Sequence, residues 1–287
     1  MKPETRNDGE GTRLLDRAQG DAASARAAVG LEALSRLLGI ELPSGGEFAE
    51  VTFQTRTVLD GEALLRGGDV FRNLYVVRAG SFKTALLDGS GTLQGMGFPM
   101  RGDAIGVDGL ATGRHACEAI ALERSEVVVI PAQRLSALSA AHPAFTALVN
   151  RLMGREIQHD QAVMFLLGSL GAEARVAAFL IDLSKRYSAL GYSSTTFNLR
   201  MTRQDIGDYL GLNIETVSRV MSSLSQMGLV HIHHREVEIL DPAGLRQLVA
   251  DPSGLQRVRS RTRGQEVVAA SQAAARAGTG FRKAVAA

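Results

Sequence analysis

The chain has 287 residues, 32 Lys and Arg against 30 Asp and Glu, one cysteine and no tryptophan, and its 45% hydrophobic content with a mean hydropathy of +0.02 excludes a mainly disordered protein. One cysteine excludes an intramolecular disulfide, a four-cysteine zinc site and a protein-ligated iron–sulfur cluster. No apolar run approaches the roughly 18 residues of a membrane-spanning helix, and MKPETRNDGEGTR has no apolar signal segment, so a cytoplasmic protein of about two domains with no membrane partner is expected.

Residues 1–30 are polar, alanine-rich and mixed in charge, and are expected to form a flexible leader. Leu31, Leu34, Leu37 and Leu38 predict a short amphipathic helix within 31–42. The texture then changes. Twelve of the 31 glycines fall between Gly61 and Gly113, among short β-rich runs at Leu74–Arg78, Phe82–Leu87, Ala116–Leu122 and Glu126–Ile130. Short strands separated by glycine turns predict an all-β sandwich or barrel.

His142-Pro143 is a plausible helix start. Apolar residues follow at spacings of three and four, from Phe145 to Leu170, with no interrupting proline. A helix of that length is expected to join domains or pack against a second copy. Residues 172–190 predict a further helix, with Val176, Ala177, Phe179, Leu180, Leu183 and Tyr187 on its apolar side.

The segment MTRQDIGDYLGLNIETVSRVMSSLSQMG (201–228) carries the strongest signal. Thr202 with Asp205 makes a capping-box-like start. Gly211 allows a sharp turn, and Asn213 suits the N-cap of a second helix buried through Val217, Val220, Met221 and Leu224. Gly207 leaves room where the helices cross. This pattern predicts a helix-turn-helix presenting Glu215, Ser218 and Arg219 near the start of its second helix. LVHIHHREVEIL (229–240) alternates around His234-Arg235 and predicts a hairpin wing.

TRQDIGDYLGLNIETVSR resembles the helix-turn-helix signature of the Crp/Fnr superfamily of transcription regulators, in particular the FNR-like branch with its E-x-x-S-R pattern. RGGDVFRNLYVVRAGSFK (66–83), GDAIGVDGLATGRH (102–115), REIQHDQAVMFLL (155–167) and ARVAAFLIDLSKRYSALGYSSTTFNLRMTR (174–203) are similar to the same family, in order. The resemblance spans about residues 45–250. It implies an α+β chain: a cyclic-nucleotide-binding-like β-roll (jelly-roll) sensor domain (31–141), a dimerisation helix (142–170) and a winged helix-turn-helix DNA-binding domain (171–250); composition adds the flexible leader (1–30) and a basic flexible tail (251–287).

It also implies a homodimer on double-stranded DNA with an FNR-like palindrome, TTGAT-N4-ATCAA, acting as an activator through RNA polymerase. Arg219 can donate twice to a guanine edge, Glu215 can accept from a cytosine amino group and brace Arg219, and Ser218 can approach a thymine methyl. Thr202, Arg203 and Thr216 are candidates for phosphate contacts. The plainer alternatives are a helix-dipole role for Glu215 and a surface ion pair for Arg219. Val149, Met153, Ile157, Asp160, Met164 and Leu167 are the expected dimer positions, with Asp160 placed to keep the dimer marginal by like-charge repulsion. Polymerase contacts in the family use loops such as Asp88–Thr92, whose DGSGT departs from the more acidic FNR version.

FNR itself senses oxygen with a cysteine-bound cluster, and the alignment puts Val128 where its β-roll cysteine lies. No cofactor is therefore expected. Cys117 reads as a buried structural thiol or, alternatively, a redox-active one. The nucleotide-binding branch needs a Gly-Glu and an Arg-Ser, for which Gly102-Asp103 and Arg114-His115 stand here, a poor match. Gating by ligand, by haem (on His115, His142 or His159) or by thiol remains the alternative. An enzyme is not expected: only His115 lies in the β-rich region, too few ligands for a cupin-type metal site, and no hydrolase or nucleotide-loop motif occurs. The charge is uneven: residues 201–250 hold 4 basic and 6 acidic residues, whereas 251–287 hold 7 and 2, so the tail is a candidate for sequence-independent phosphate attraction.

Overall fold

The computed structural model describes residues 28–41, 51–87 and 93–251. Residues 1–27, the turn Asp88–Thr92 and the tail from 252 onward, each given a role above, lie outside the described residues. The chain separates into two compact units, one holding residues up to Phe82 together with Phe98–Leu152, the other holding Lys83–Gly97 together with the residues from Met153 onward.

The first unit is built on a five-stranded antiparallel sheet. Its strands are β1 (Ala28–Gly30), β2 (Thr52–Val58), β4 (Asn73–Ala79), β7 (Ala104–Ile105) and β9 (Ser125–Pro131), in the order β1-β2-β9-β4-β7. β3 (Ala63–Leu65) pairs antiparallel with β8 (Cys117–Ala121). Side chains alternate along a strand, and the two central strands use the alternation fully. Leu74, Val76, Val128 and Ile130 enter one core, while Tyr75, Val77 and Val127 enter another on the opposite face. The first core is closed by α1 (Leu31–Leu37), α3 (Ala132–Ala141) and the start of α4 (Pro143–Ser169), through Leu31, Leu34, Leu135, Leu138, Phe145 and Leu148. Phe145 stacks on Phe53 with ring centroids 6.5 Å apart, and burying such a ring is worth roughly 1.5–3 kcal/mol. The short α2 (Gly109–Thr112) lies between β7 and β8.

The second unit contains the rest of α4, then α5 (Ala172–Ala189), β10 (Thr196–Asn198), α6 (Arg203–Leu210), α7 (Ile214–Gln226), β11 (Val230–His233), β12 (Glu236–Ile239) and α8 (Pro242–Ala250). β5 (Phe82–Leu87) and β6 (Leu93–Gly97) form a hairpin that belongs to it from Lys83 to Gly97, while Phe82 packs in the first unit. The wing is a three-stranded sheet in the order β10-β12-β11. Tyr187 of α5 stacks on Phe197 of β10 at 5.2 Å, joining the wing to the helix beneath it.

Several expectations need correction. The leader ends earlier than residue 30, because Ala28–Gly30 pairs with Thr52–Gln54 as a strand. Within the sensor segment, residues 83–97 make their closest cluster with the second unit. A separate helix, α3, precedes the long one, and His142 sits between them in extended backbone as the C-cap of α3. The wing has a third strand, β10, and a closing helix, α8, that the sequence reading lacked.

Candidate DNA-reading site

Local chemistry builds the helix-turn-helix step by step. The Thr202 hydroxyl accepts from the Asp205 amide at 3.1 Å, and the Asp205 carboxylate accepts from the Thr202 amide at 2.8 Å, a reciprocal cap that starts α6. Gly211 ends that helix at φ +63°, where a side chain would be strained. Gly207 is required by close approach, since a Cβ there would sit 2.5 Å from the Leu212 carbonyl oxygen. Asn213 then opens α7 by accepting from the Thr216 amide at 2.8 Å. Val217, Val220, Met221 and Leu224 are all buried.

That arrangement leaves Glu215, Ser218 and Arg219 exposed together on the first two turns of α7. No ion pair joins Glu215 to Arg219 among the described residues, so the bracing role expected of Glu215 has no contact behind it here. The phosphate candidates divide. Thr202 is exposed, but its hydroxyl donates to Asp205 Oδ2 at 2.6 Å and is engaged in the cap. Thr216 is half-buried beside its cap. Arg203 is half-buried at the first position of α6, with Nη2 donating to the His234 carbonyl at the wing tip, 3.3 Å away. Its Nη1 is buried without a partner among the described residues, and burial lowers the guanidinium pKa. An orphaned cationic N–H of this kind is unfavourable until an acceptor reaches it.

Asp205 holds a charge in a site that is 8% exposed. Burial pushes its pKa up, but hydrogen bonds from Lys83 and Thr202 outweigh burial and hold the carboxyl below the usual carboxylate range. Burial is also the largest cause that raises the Tyr209 phenol, to about 12.

Arg175 is a residue the sequence reading missed. Its guanidinium donates to Leu167 O (2.7 Å), Leu170 O (2.8 Å) and Leu210 O (2.9 Å). It thus satisfies carbonyls left open at the ends of α4 and α6. No local pattern announces this, since one arginine on an amphipathic helix reads as surface charge.

Along α4, Met153 (39% exposed), Ile157 (55%), Met164 (65%) and Asp160 present one exposed face at spacings of four, three and four. Phe165, absent from the expected set, is 65% exposed beside it. Val149 is half-buried against the core of the first unit, and Leu167 is half-buried near Gly211.

In the first unit a cavity of about 450 Å³ is lined by residues including Asp69, Arg72, Tyr75, Arg114 and His115. The residues standing for a nucleotide site are otherwise engaged. Arg114 Nη1 donates to the Gly68 carbonyl at 2.7 Å, and Asp103 accepts from the Met100 amide at 2.8 Å. His115 is buried against Asp108 and the edge of Phe71. Asp108 also accepts from the amides of Ala116 and Cys117, which fixes the half-buried Cys117 at the start of β8. Among the described residues no group of three or more His, Cys, Asp or Glu converges as a metal site, and no helix is long and apolar enough to cross a membrane.

Comparison with known proteins points the same way. Residues 174–248 match the Crp-like helix-turn-helix domain, and residues 55–142 match the cyclic nucleotide-binding domain. The chain is 45% identical over 193 residues to the transcriptional regulatory protein Btr of Bordetella pertussis, covering 67% of this chain and 80% of the relative. It is 40% identical over 208 residues to the transcriptional activator protein Anr of Pseudomonas protegens, covering 72% and 85%. The fumarate and nitrate reduction regulatory protein of Escherichia coli is 37% identical over 193 residues, covering 67% and 77%. Among solved structures, FixK2 from Bradyrhizobium japonicum is similar at a TM-score of 0.63 and 26% identity, covering 69% of this chain and 98% of that one.

Proposed function

The chain belongs to the Crp/Fnr family of DNA-binding transcription regulators, and from that premise we propose that it is a homodimeric activator reading an FNR-like palindrome, TTGAT-N4-ATCAA, without an iron–sulfur cluster of its own. The observation that carries the reading is the shared exposure of Glu215, Ser218 and Arg219 on a helix whose opposite face is wholly buried. Arg219 donates to guanine O6 and N7, Glu215 accepts from cytosine N4, and Ser218 lies against a thymine methyl. Arg203, at the first position of α6 beside the wing, is the candidate for a phosphate oxygen. Thr202 and Thr216 assist at the starts of the two helices, where the positive ends of the helix dipoles favour anions.

The exposed stripe Met153, Ile157, Met164 supports dimerisation through α4, with Val149 and Leu167 flanking it and Asp160 opposing its own copy. A two-fold axis along that helix sets two recognition helices about 34 Å apart, one turn of DNA. The single thiol supports a cluster-free regulator, because a [4Fe–4S] cluster takes four ligands and the chain has one cysteine. RNA polymerase is the further partner, and the cytoplasm, where promoter DNA lies, is the place of action. Gating by a small ligand other than a cyclic nucleotide is a second reading, favoured by the polar cavity beside Arg72 and Arg114.

The test is an anisotropy titration of the full chain at moderate salt, with the palindrome against a scrambled duplex of the same composition. The palindrome is expected to bind about a thousandfold or more tighter, the lower end of specific recognition. Equal affinity for the two duplexes overturns the reading.

A further inference from the structure

The hairpin Lys83–Gly97 lies within the segment that matches the cyclic nucleotide-binding domain, yet it clusters with the DNA-binding residues. Its two ends continue directly into the first unit at Phe82 and Phe98. Three different contacts converge from it on α6. Lys83 Nζ meets Asp205 Oδ1 at 2.6 Å, with side-chain exposures of 34% and 9%. Gln94 Nε2 donates to the Asp208 carbonyl at 2.7 Å. Gly95 approaches the backbone so closely that a Cβ there would sit 2.8 Å from the Tyr209 amide nitrogen.

Each contact answers a need of α6. Asp205 is the capping carboxylate, and its Oδ2 is filled by Thr202, so Lys83 neutralises the remaining oxygen of a buried charge. The Asp208 carbonyl belongs to the last turn of α6, where carbonyls have no partner within the helix. Gly95 lets two backbones meet with no side chain between them. The pairing is not a chance surface ion pair: it is nearly enclosed on the carboxylate side, and two independent contacts on the same helix accompany it.

We infer that the hairpin is a latch that positions the helix-turn-helix for reading, with Lys83 as its positioning residue. Glu215, Ser218 and Arg219 are exposed while the latch is closed, so the closed latch is compatible with DNA. It fixes α6, against which α7 packs across the Gly207 crossing. A held reader binds DNA more tightly than one that must be ordered on binding. Because the hairpin is tethered at both ends to the first unit, any change that shifts those ends bears on α6 directly.

The experiment uses the full chain, with Lys83→Met, Lys83→Arg and Gln94→Ala, the TTGAT-N4-ATCAA duplex, and hydrogen exchange over residues 83–97. Lys83→Met is expected to weaken palindrome binding about tenfold and Lys83→Arg to restore it to within about twofold, a typical size for coupling between sites. Gln94→Ala is expected to weaken it by a smaller factor, and serves where Lys83→Met lowers the yield of folded protein. By reciprocal linkage, DNA raises hairpin protection in the wild type and fails to do so in Lys83→Met. Wild-type affinity in Lys83→Met and Gln94→Ala, or hairpin protection that ignores DNA, overturns the latch. If the wild type does not prefer the palindrome at all, the function proposed above fails; wild-type preference with an unaffected Lys83→Met fails the latch alone.

Discussion

The recognition helix α7 and the long helix α4 are both amphipathic, and they leave opposite residues uncovered. In α7 Val217, Val220, Met221 and Leu224 are buried, and the exposed residues are mainly polar, Glu215, Ser218, Arg219, Ser222 and Gln226, with Ile214 (40% exposed) at the first turn. In α4 only Phe145, Leu148 and Leu152 are buried, all near the N-terminal end, and the outer face carries Met153, Ile157, Met164 and Phe165. A helix with its apolar face satisfied presents hydrogen-bonding groups, which suits nucleic acid. A helix with apolar surface left over suits another apolar surface, and in a two-fold dimer that surface is its own copy. What a helix leaves uncovered identifies the chemistry of its partner better than its mean polarity does.

Breaking the apolar side of this comparison has the largest expected effect. Ile157→Asp places two carboxylates in the α4 seam, and because an unpaired buried charge costs several kcal/mol, the dimer dissociation constant should rise by about a hundredfold or more. Sedimentation equilibrium reads this, and an unchanged constant would remove α4 from the interface. Breaking the polar side should leave the dimer intact. Arg219→Ala is expected to cost about 1–3 kcal/mol on the palindrome with little change on random duplex. Equal loss on both duplexes would reduce Arg219 to a phosphate contact or a solvated charge. The smallest effect sharpens the one polar residue in the apolar stripe. Asp160→Ala removes a like-charge pair and should tighten the dimer by about 0.5–1 kcal/mol, the scale of a partly solvated pair. A weaker or identical dimer would make Asp160 a solvated edge residue.

A pH test bears on α6. The pKa of Asp205 is lowered in the folded state, so its contribution to stability is present above the unfolded carboxylate value, about 3.9. That contribution is lost as pH falls through the lower folded value. Acid unfolding followed by circular dichroism should therefore show a wild-type loss of stability below about pH 4 that Asp205→Asn lacks.

Both faces were legible in the sequence. The helix-turn-helix was, because each of its steps is local: Thr202 with Asp205, Gly207 with Leu212, Gly211 in left-handed backbone, Asn213 with Thr216. The spacing of three and four along α4 was equally plain. Features made by distant partners were not. Thr196–Asn198 is three residues long and becomes a strand only by pairing with Glu236–Glu238. Helix α3 carries two buried leucines in an alanine-rich run, too sparse a stripe to separate it from α4. Lys83 and Asp205 are 122 residues apart, and nothing near either one announces the other.

Two recognition helices held by one two-fold axis are the central claim. Half-site spacing tests it directly, because five added base pairs turn one half-site by about half a helical turn of 10–10.5 bp. Titrating the full chain against TTGAT-N4-ATCAA and against the same half-sites with an N9 spacer should show tight binding to the first and only weak, half-site-like binding to the second. Equal affinity for both spacings would contradict a rigid two-fold reader built on α4 and α7.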